Sequence, residues 1–281
     1  MKINRAASFV VIAVIYALAT AVGIASYVFM PGELWLRLLV ADCAATVFTF
    51  IFSVALRNAS VYDPYWSVQP IAILLPLMID SGATLSGVLL FLAVAVWGIR
   101  LTLNWAYTFR GMEHQDWRYT MLREKTGVFY PVINFIGIHM VPTLVVYACT
   151  LPAAILVTEA AELSPLSLIG LLISLLAVLL QGTADVQMHK YRRNRTTPFI
   201  EVGLWKYSRH PNYLGEILMW WGVALYTSFT LGFNLIYIIG AILNTLLFLF
   251  VSIPLADGRQ SRKDGFAEYK SRTRMLLPIK K

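Results

Sequence analysis

The stretch 164-SPLSLIGLLISLLAVLLQGTADVQMHKYRRNR-195 begins as a hydrocarbon-compatible run and ends as a cluster of cations. Residues 164–185 are apolar over roughly the 20 positions that a helix needs to cross the membrane interior. Gln181, Asp185, His189 and then Arg192 or Arg193 recur at spacings of three or four, so they share one helical face. A helix leaving a bilayer, with basic side chains snorkelling to the headgroups, accounts for Lys190 to Arg195. Gln181 and Asp185 ask for more. An amide and a carboxylate below a basic cluster suit the hydroxyl and amide groups of a nucleotide, while arginines such as Arg192, Arg193 and Arg195 neutralise its phosphates.

The whole chain repeats the first half of that pattern. Of its 281 residues 58% are hydrophobic and 14% charged, and the mean hydropathy is +0.67, values that exclude an ordinary soluble surface. Apolar segments fall at 8–29, 36–56, 67–80, 85–109, 128–157, 164–185, 211–231 and 234–255. The expected fold is all-α, a polytopic integral membrane protein of seven or eight transmembrane helices in a single domain, 1–281. Segment 67–80 is the ambiguous one, being short and interrupted by Pro70 and Pro76. Eight spans satisfy the charge rule. Lys2, Arg5, Arg57, Arg110, Arg118, Arg123, Lys125, the 190–209 cluster and the C-terminal tail then share the cytoplasmic side, while the opposite loops keep Arg37, Glu159 and Glu162.

Both termini are therefore expected in the cytoplasm, with 110–127, 186–210 and 256–281 as cytoplasmic segments. The net charge of +8 concentrates on that face, where it serves topology, anionic lipid or an anionic ligand. Nucleic acid is not an expected partner. Membrane lipids are, together with an apolar small molecule arriving from the bilayer. Cys43 and Cys149 lie alone inside predicted spans, so packing is their expected role and no metal site is indicated.

Ionisable groups at membrane depth are costly and point to function. Besides Gln181 and Asp185 they include Asp42, Arg100 with Asn104 one turn later, Asn134 and His139, and Asn212 with Glu216. For Asp42 a structural bond to a neighbouring helix is at least as good a reading as a function. In 207-YSRHPNYLGE-216, Pro211 suits the first position of a helix. Tyr207, Arg209, His210 and free backbone N–H groups would then present a positive site to an anion, with Asn212 and Glu216 one turn deeper. The basic, amphipathic tail is adequate as a membrane-surface helix, yet Arg259, Arg262, Tyr269, Arg272 and Arg274 are also placed to close over an anionic cofactor.

The stretches 203-GLWKYSRHPNYLGEILMWWG-222 and 265-GFAEYKSRTRMLLP-278 resemble the uncharacterised bacterial branch of the steroid 5-alpha-reductase-like membrane proteins. Weaker support comes from 97-WGIRLTLNWAYTFRG-111 and 113-EHQDWRY-119. The resemblance implies a reductase of a conjugated carbon–carbon double bond, NADPH as its cofactor and a bacterial cytoplasmic membrane as its place. It implies that Gln181, Asp185, Arg192, Arg193, Asn212 and Glu216 meet the nucleotide. The steroid reductases' substrate-polarising Gln–Glu pair and tyrosine are not reproduced, and Asp63, Tyr65, Trp66 and Arg100 are the available replacements. The "RHPNYLG" segment also resembles isoprenylcysteine carboxyl methyltransferases, which keeps S-adenosylmethionine as the alternative cofactor, and a non-catalytic lipid-binding membrane protein whose basic face grips anionic headgroups is the third reading.

Overall fold

The computed structural model describes residues 4–281; Lys2 lies outside them. Twelve α-helical stretches follow in order: α1 (Arg5–Phe29), α2 (Leu34–Ala55), α3 (Tyr65–Asp80), α4 (Leu85–Thr108), α5 (Trp117–Thr126), α6 (Tyr130–Ile133), α7 (Val141–Thr158), α8 (Ser167–Arg193), α9 (Pro211–Leu231), α10 (Leu235–Leu247), α11 (Ile253–Gln260) and α12 (Phe266–Arg272). No strand occurs among the described residues. Six helical units are long and apolar enough to cross a membrane: α1, α2, α4, the continuous run Trp117–Thr158, α8 and the run Leu235–Gln260. They are the framework of a polytopic membrane protein.

Besides the seven-residue α12, two helices lie outside that set for physical reasons. The 16 residues of α3 form one uninterrupted helix, Pro70 and Pro76 included, against the expectation of a broken segment. Its shortness is what excludes it. The 21 residues of α9 are sufficient in length, but Glu216, Tyr226, Thr227 and Ser228 are covered by neighbouring helices, and a helix sheathed in protein needs no lipid-compatible surface.

Contacts between helix ends sort the elements onto two faces. At one face Arg5 Nη2 donates to the Ala106 carbonyl (2.7 Å), Asn58 Nδ2 donates to the Met112 carbonyl (2.6 Å), and the Arg193 guanidinium meets the Tyr107 hydroxyl. At the other, Tyr147 Oη donates to the Trp35 carbonyl (2.5 Å) and Tyr226 Oη to that of Ser86 (2.9 Å). The start of α1 and the ends of α2, α4 and α8 thus lie together, so α3 must carry the chain from one face to the other.

Packing is closest between α8 and α9, for a reason written in small residues. Gly170, Ser174 and Ala177 on α8 face Gly215 and Gly222 on α9. A methyl group added to Gly222 would stand 2.7 Å from the Gly170 carbonyl oxygen, and one on Gly215 the same distance from that of Ala177. Neither neighbour is a flexible side chain tip. The long run Trp117–Thr158 is less regular, passing through a π-helical stretch at Asn134–Met140, and a second such stretch, Phe248–Ser252, joins α10 to α11. Cys149 is buried in the main core and Cys43 is half-buried and free, as packing residues are.

Gly222→Leu is expected to force α8 and α9 apart and to destabilise the protein by about 1–3 kcal/mol, the usual cost of overpacking. Thermal unfolding in detergent reads this against Gly258→Ala, whose added methyl meets nothing within 4 Å.

Candidate functional site

The close α8–α9 seam brings Gln181 beside Glu216, four residues after the Asn212 that opens the same face. Glu216 is 5% exposed and receives three N–H donors. Trp97 Nε1 and Gln181 Nε2 both donate to Oε2 at 2.8 Å, and Trp220 Nε1 donates to Oε1 at 3.0 Å. Every contact is a donor, the complement a carboxylate needs. Gln181 Oε1 in turn accepts from Arg100 Nη2 (2.5 Å), and Arg100 Nη1 pairs with Asp185 Oδ2 (2.7 Å). Arginine can only donate and the carboxylate accepts, so the Gln181 amide is held in one orientation. A relay therefore runs Asp185, Arg100, Gln181, Glu216, across α4, α8 and α9.

This relay forms one wall of a cavity of about 700 Å³. Asp63, Arg100, Gln181, Asp185, Asn212 and Glu216 all line it, which brings six of the residues expected from sequence into one space. Apolar lining comes from Trp66, Val146, Leu247 and Phe248, and a polar margin from Arg110, Asp116, Trp117 and Arg118. Three buried polar atoms on lining residues have no partner among the described residues: Arg100 Nε, Asn212 Oδ1 and Asn244 Nδ2. Two donors and one acceptor on the lining residues are thus without a partner. Asp63 is outside the spans and accepts a 2.6 Å hydrogen bond from Tyr119 Oη. Burial pushes its carboxyl up to about 6, with Arg118 and the Tyr119 bond opposing that rise.

The remaining expected residues divide into three groups. Tyr65 is a correction: its hydroxyl donates to Asp42 Oδ1 (3.0 Å), with Gln69 Nε2 on the other oxygen (2.5 Å), on the face of α3 turned away from the large cavity. Asp42 thus makes an interhelical bond, the structural one of the two readings open to it. Arg209 and His210 are corrections too. Both are buried against Asp257, Arg209 Nη2 at 3.2 Å and His210 Nε2 at 2.9 Å, and Arg209 Nη1 donates to the Thr273 carbonyl (2.9 Å). Their backbone groups are engaged as well, Arg209 N–H with the Arg274 carbonyl and His210 N–H with Ser208 Oγ. Instead of an anion site, the motif is a latch on the C-terminal tail.

Tyr207 and Tyr269 belong to the same latch. The Tyr207 carbonyl accepts from the Arg274 N–H (3.1 Å), and the buried Tyr269 hydroxyl donates to the Trp205 carbonyl (2.6 Å). Arg272 is paired on the surface with Glu201 and Glu268. None of these lines the cavity.

His189 reaches it indirectly, Nε2 lying 2.7 Å from Oδ1 of the lining residue Asn104. Arg193 rests on Tyr107, and Arg259 stacks 4.2 Å from the centre of the Trp117 ring. Arg195 donates to the Thr197 and Pro198 carbonyls, and Arg192 and Arg262 are exposed. A second cationic grouping emerges here. Lys263 is held below the usual lysine value by partial burial and by the charges of Arg195, Arg259 and Arg192. Lys263 thus feels arginines from two chain segments, and one of them, Arg259, lies over Trp117 of the cavity lining.

Sequence reasoning missed Trp97 and Trp220 as carboxylate donors, Asn244 as a lining residue and Asp257 as the anchor of the tail. Asp257 carried a signal, as the lone acid in a basic stretch. Asn244 carried the same signal as Asn212, an amide in an apolar run.

Asp257→Asn leaves the buried Arg209 charge without its counter-ion and is expected to cost about 3 kcal/mol. Limited proteolysis should then cut within 261–281 at protease levels that leave the parent protein intact.

The chain is similar to an uncharacterized protein of Schizosaccharomyces pombe, 27% identical over 198 residues, an alignment that covers 60% of this chain and 57% of that protein. The chain thus spans little more than half the length of that relative. No solved structure matches it. Residues 49–273, which include every lining residue of the cavity, match the family described as Protein of unknown function (DUF1295), and the chain belongs to that family.

Proposed function

We propose that this protein is a membrane-embedded, NADPH-dependent reductase of a conjugated carbon–carbon double bond in an apolar, steroid-like or other lipid substrate. In this reading it crosses a bacterial cytoplasmic membrane eight times, α3 and α9 included, with both termini in the cytoplasm, and stands beside the steroid 5-alpha-reductase-like proteins. The observation that carries the proposal is the cavity itself: a polar relay on one wall, apolar side chains on another and cations at its margin.

The residues present fit the cofactor. Asn212 Oδ1 and Asn244 Nδ2 are a buried acceptor and donor without partners, the pair that a nicotinamide carboxamide requires. Arg192, Arg195, Arg259 and Lys263 offer the positive charge that its phosphates require. S-adenosylmethionine fits less well. Its sulfonium calls for free acidic groups, and Glu216 is already saturated by donors while Asp185 is paired with Arg100.

Held by Asn212, Asn244 and the nearby cations, NADPH would supply hydride for a carbon–carbon double bond conjugated with a carbonyl oxygen. Arg100, with Nε free and its Nη groups fixed by Gln181 and Asp185, offers positive charge to that oxygen in a site of low dielectric. Asp63 gives its proton to the adjacent carbon and recovers one from water at the cavity margin. Glu216 holds Trp97, Gln181 and Trp220 in place, and so positions Arg100. The apolar substrate arrives laterally from the bilayer.

Titration of purified protein with NADPH, NADH and S-adenosylmethionine tests the class, since a thermal shift with the last alone would replace reduction by methyl transfer. Arg195→Ala is expected to weaken NADPH binding about tenfold, and Arg193→Ala to weaken it less because Arg193 is engaged with Tyr107. Calorimetric titration reads both.

A pH series tests the proton donor. A carboxyl titrating at about 6 is protonated below that value, so turnover should be level at low pH and fall about tenfold per unit above it. Asp63→Asn should remove the pH dependence along with most of the rate.

A further inference from the structure

A second cavity, of about 190 Å³, lies between α1, α2 and α3 and shares no lining residue with the first. Tyr16, Thr20, Tyr27, Asp42, Tyr65 and Gln69 supply its polar groups and the other lining residues are apolar. The polar end is built, not incidental. Asp42, Tyr65 and Gln69 are 4%, 6% and 5% exposed. Both Asp42 oxygens are occupied, Oδ1 by Tyr65 Oη at 3.0 Å and Oδ2 by Gln69 Nε2 at 2.5 Å.

That arrangement leaves one group over. Gln69 turns its amide nitrogen to the carboxylate, so Oε1 is the free end, and it has no partner among the described residues. A buried amide oxygen without a donor is unfavourable by an appreciable fraction of a protein's stability. An occupant that relieves it must bring a hydrogen-bond donor. Because Asp42 is already engaged on both oxygens, the missing interaction is a neutral hydrogen bond and not an ion pair.

Size and setting narrow the class. A cavity of this volume is close to one that takes a benzene-sized ligand, so a longer molecule must leave part of itself outside. Ile24, on the rim, is 52% exposed on the outer surface of α1, a helix of membrane-spanning length. The way out therefore leads into lipid.

We propose that this cavity holds the head of a hydroxyl-terminated hydrocarbon, its O–H donating to Gln69 Oε1 and its chain passing beside Ile24 into the bilayer. The requirement is opposite in sense to that of a conjugated ketone, which presents an acceptor. It is also independent of the reductase reading, because neither NADPH nor the large cavity takes part.

The test uses protein in nanodiscs and two photoreactive probes, a diazirine-bearing hexadecanol and its methyl ether. Peptides labelled on irradiation are mapped by mass spectrometry. The alcohol is expected to label peptides of α1 to α3 roughly two- to tenfold more than the ether, the worth of one neutral hydrogen bond, and Gln69→Leu to erase the difference. Equal labelling of the native protein by alcohol and ether overturns the proposal, as does a preference that persists in Gln69→Leu. The comparison of probes on the native protein needs no variant, so it stands even if Gln69→Leu fails to fold.

Discussion

A carboxylate inside an apolar bundle persists only where donors are brought to it, and the rest of this molecule is arranged around three N–H groups converging on Glu216. Two come from indoles on different helices and the third from Gln181 across the α8–α9 seam. The seam must be close for that third donor to reach, and it is close because glycines stand at the crossing. Chain geometry and site chemistry are in this sense one constraint. Whatever widens the seam also leaves Gln181 short of Glu216 and Arg100 without its lateral support.

The basic residues near the start of α9 and in the tail turn out to have two different occupations. Arg209 and His210 are committed to Asp257, holding the tail against the start of α9, while Lys263 is disfavoured as a cation by Arg195, Arg259 and Arg192 near it. Like charges brought near one another favour an anion between them. Paired charges bring no such opportunity. The distinction is one of partners, and composition alone cannot draw it.

That is why the sequence was legible in some places and closed in others. Helix positions followed from the length of apolar runs, and the convergence of Gln181, Asp185, Asn212 and Glu216 followed from helical spacing plus the rule that polar groups in a membrane seek one another. Which way α3 faces did not follow. Tyr65 and Trp66 are adjacent, and one residue of rotation, about 100°, sends the first to Asp42 and the second to the large cavity. The role of the "RHP" motif was likewise hidden, because Asp257 is 47 positions from His210 and no local pattern links them. Proline posed the reverse problem: Pro70 and Pro76 read as breaks, yet α3 continues through both.

The two π-helical stretches change how kinship in this family should be read. Each widens the turn by a residue, so the angular phase of every later position advances relative to an unbroken α-helix. Residues before Asn134 and after Met140 consequently obey two separate stripes, as do those either side of Phe248–Ser252. A relative lacking one amino acid within 134–140 would not simply be shorter: its Asn134 and Thr143 equivalents would part company around the axis. Gaps at these positions in aligned sequences would therefore mark a change of cavity shape rather than a neutral loss.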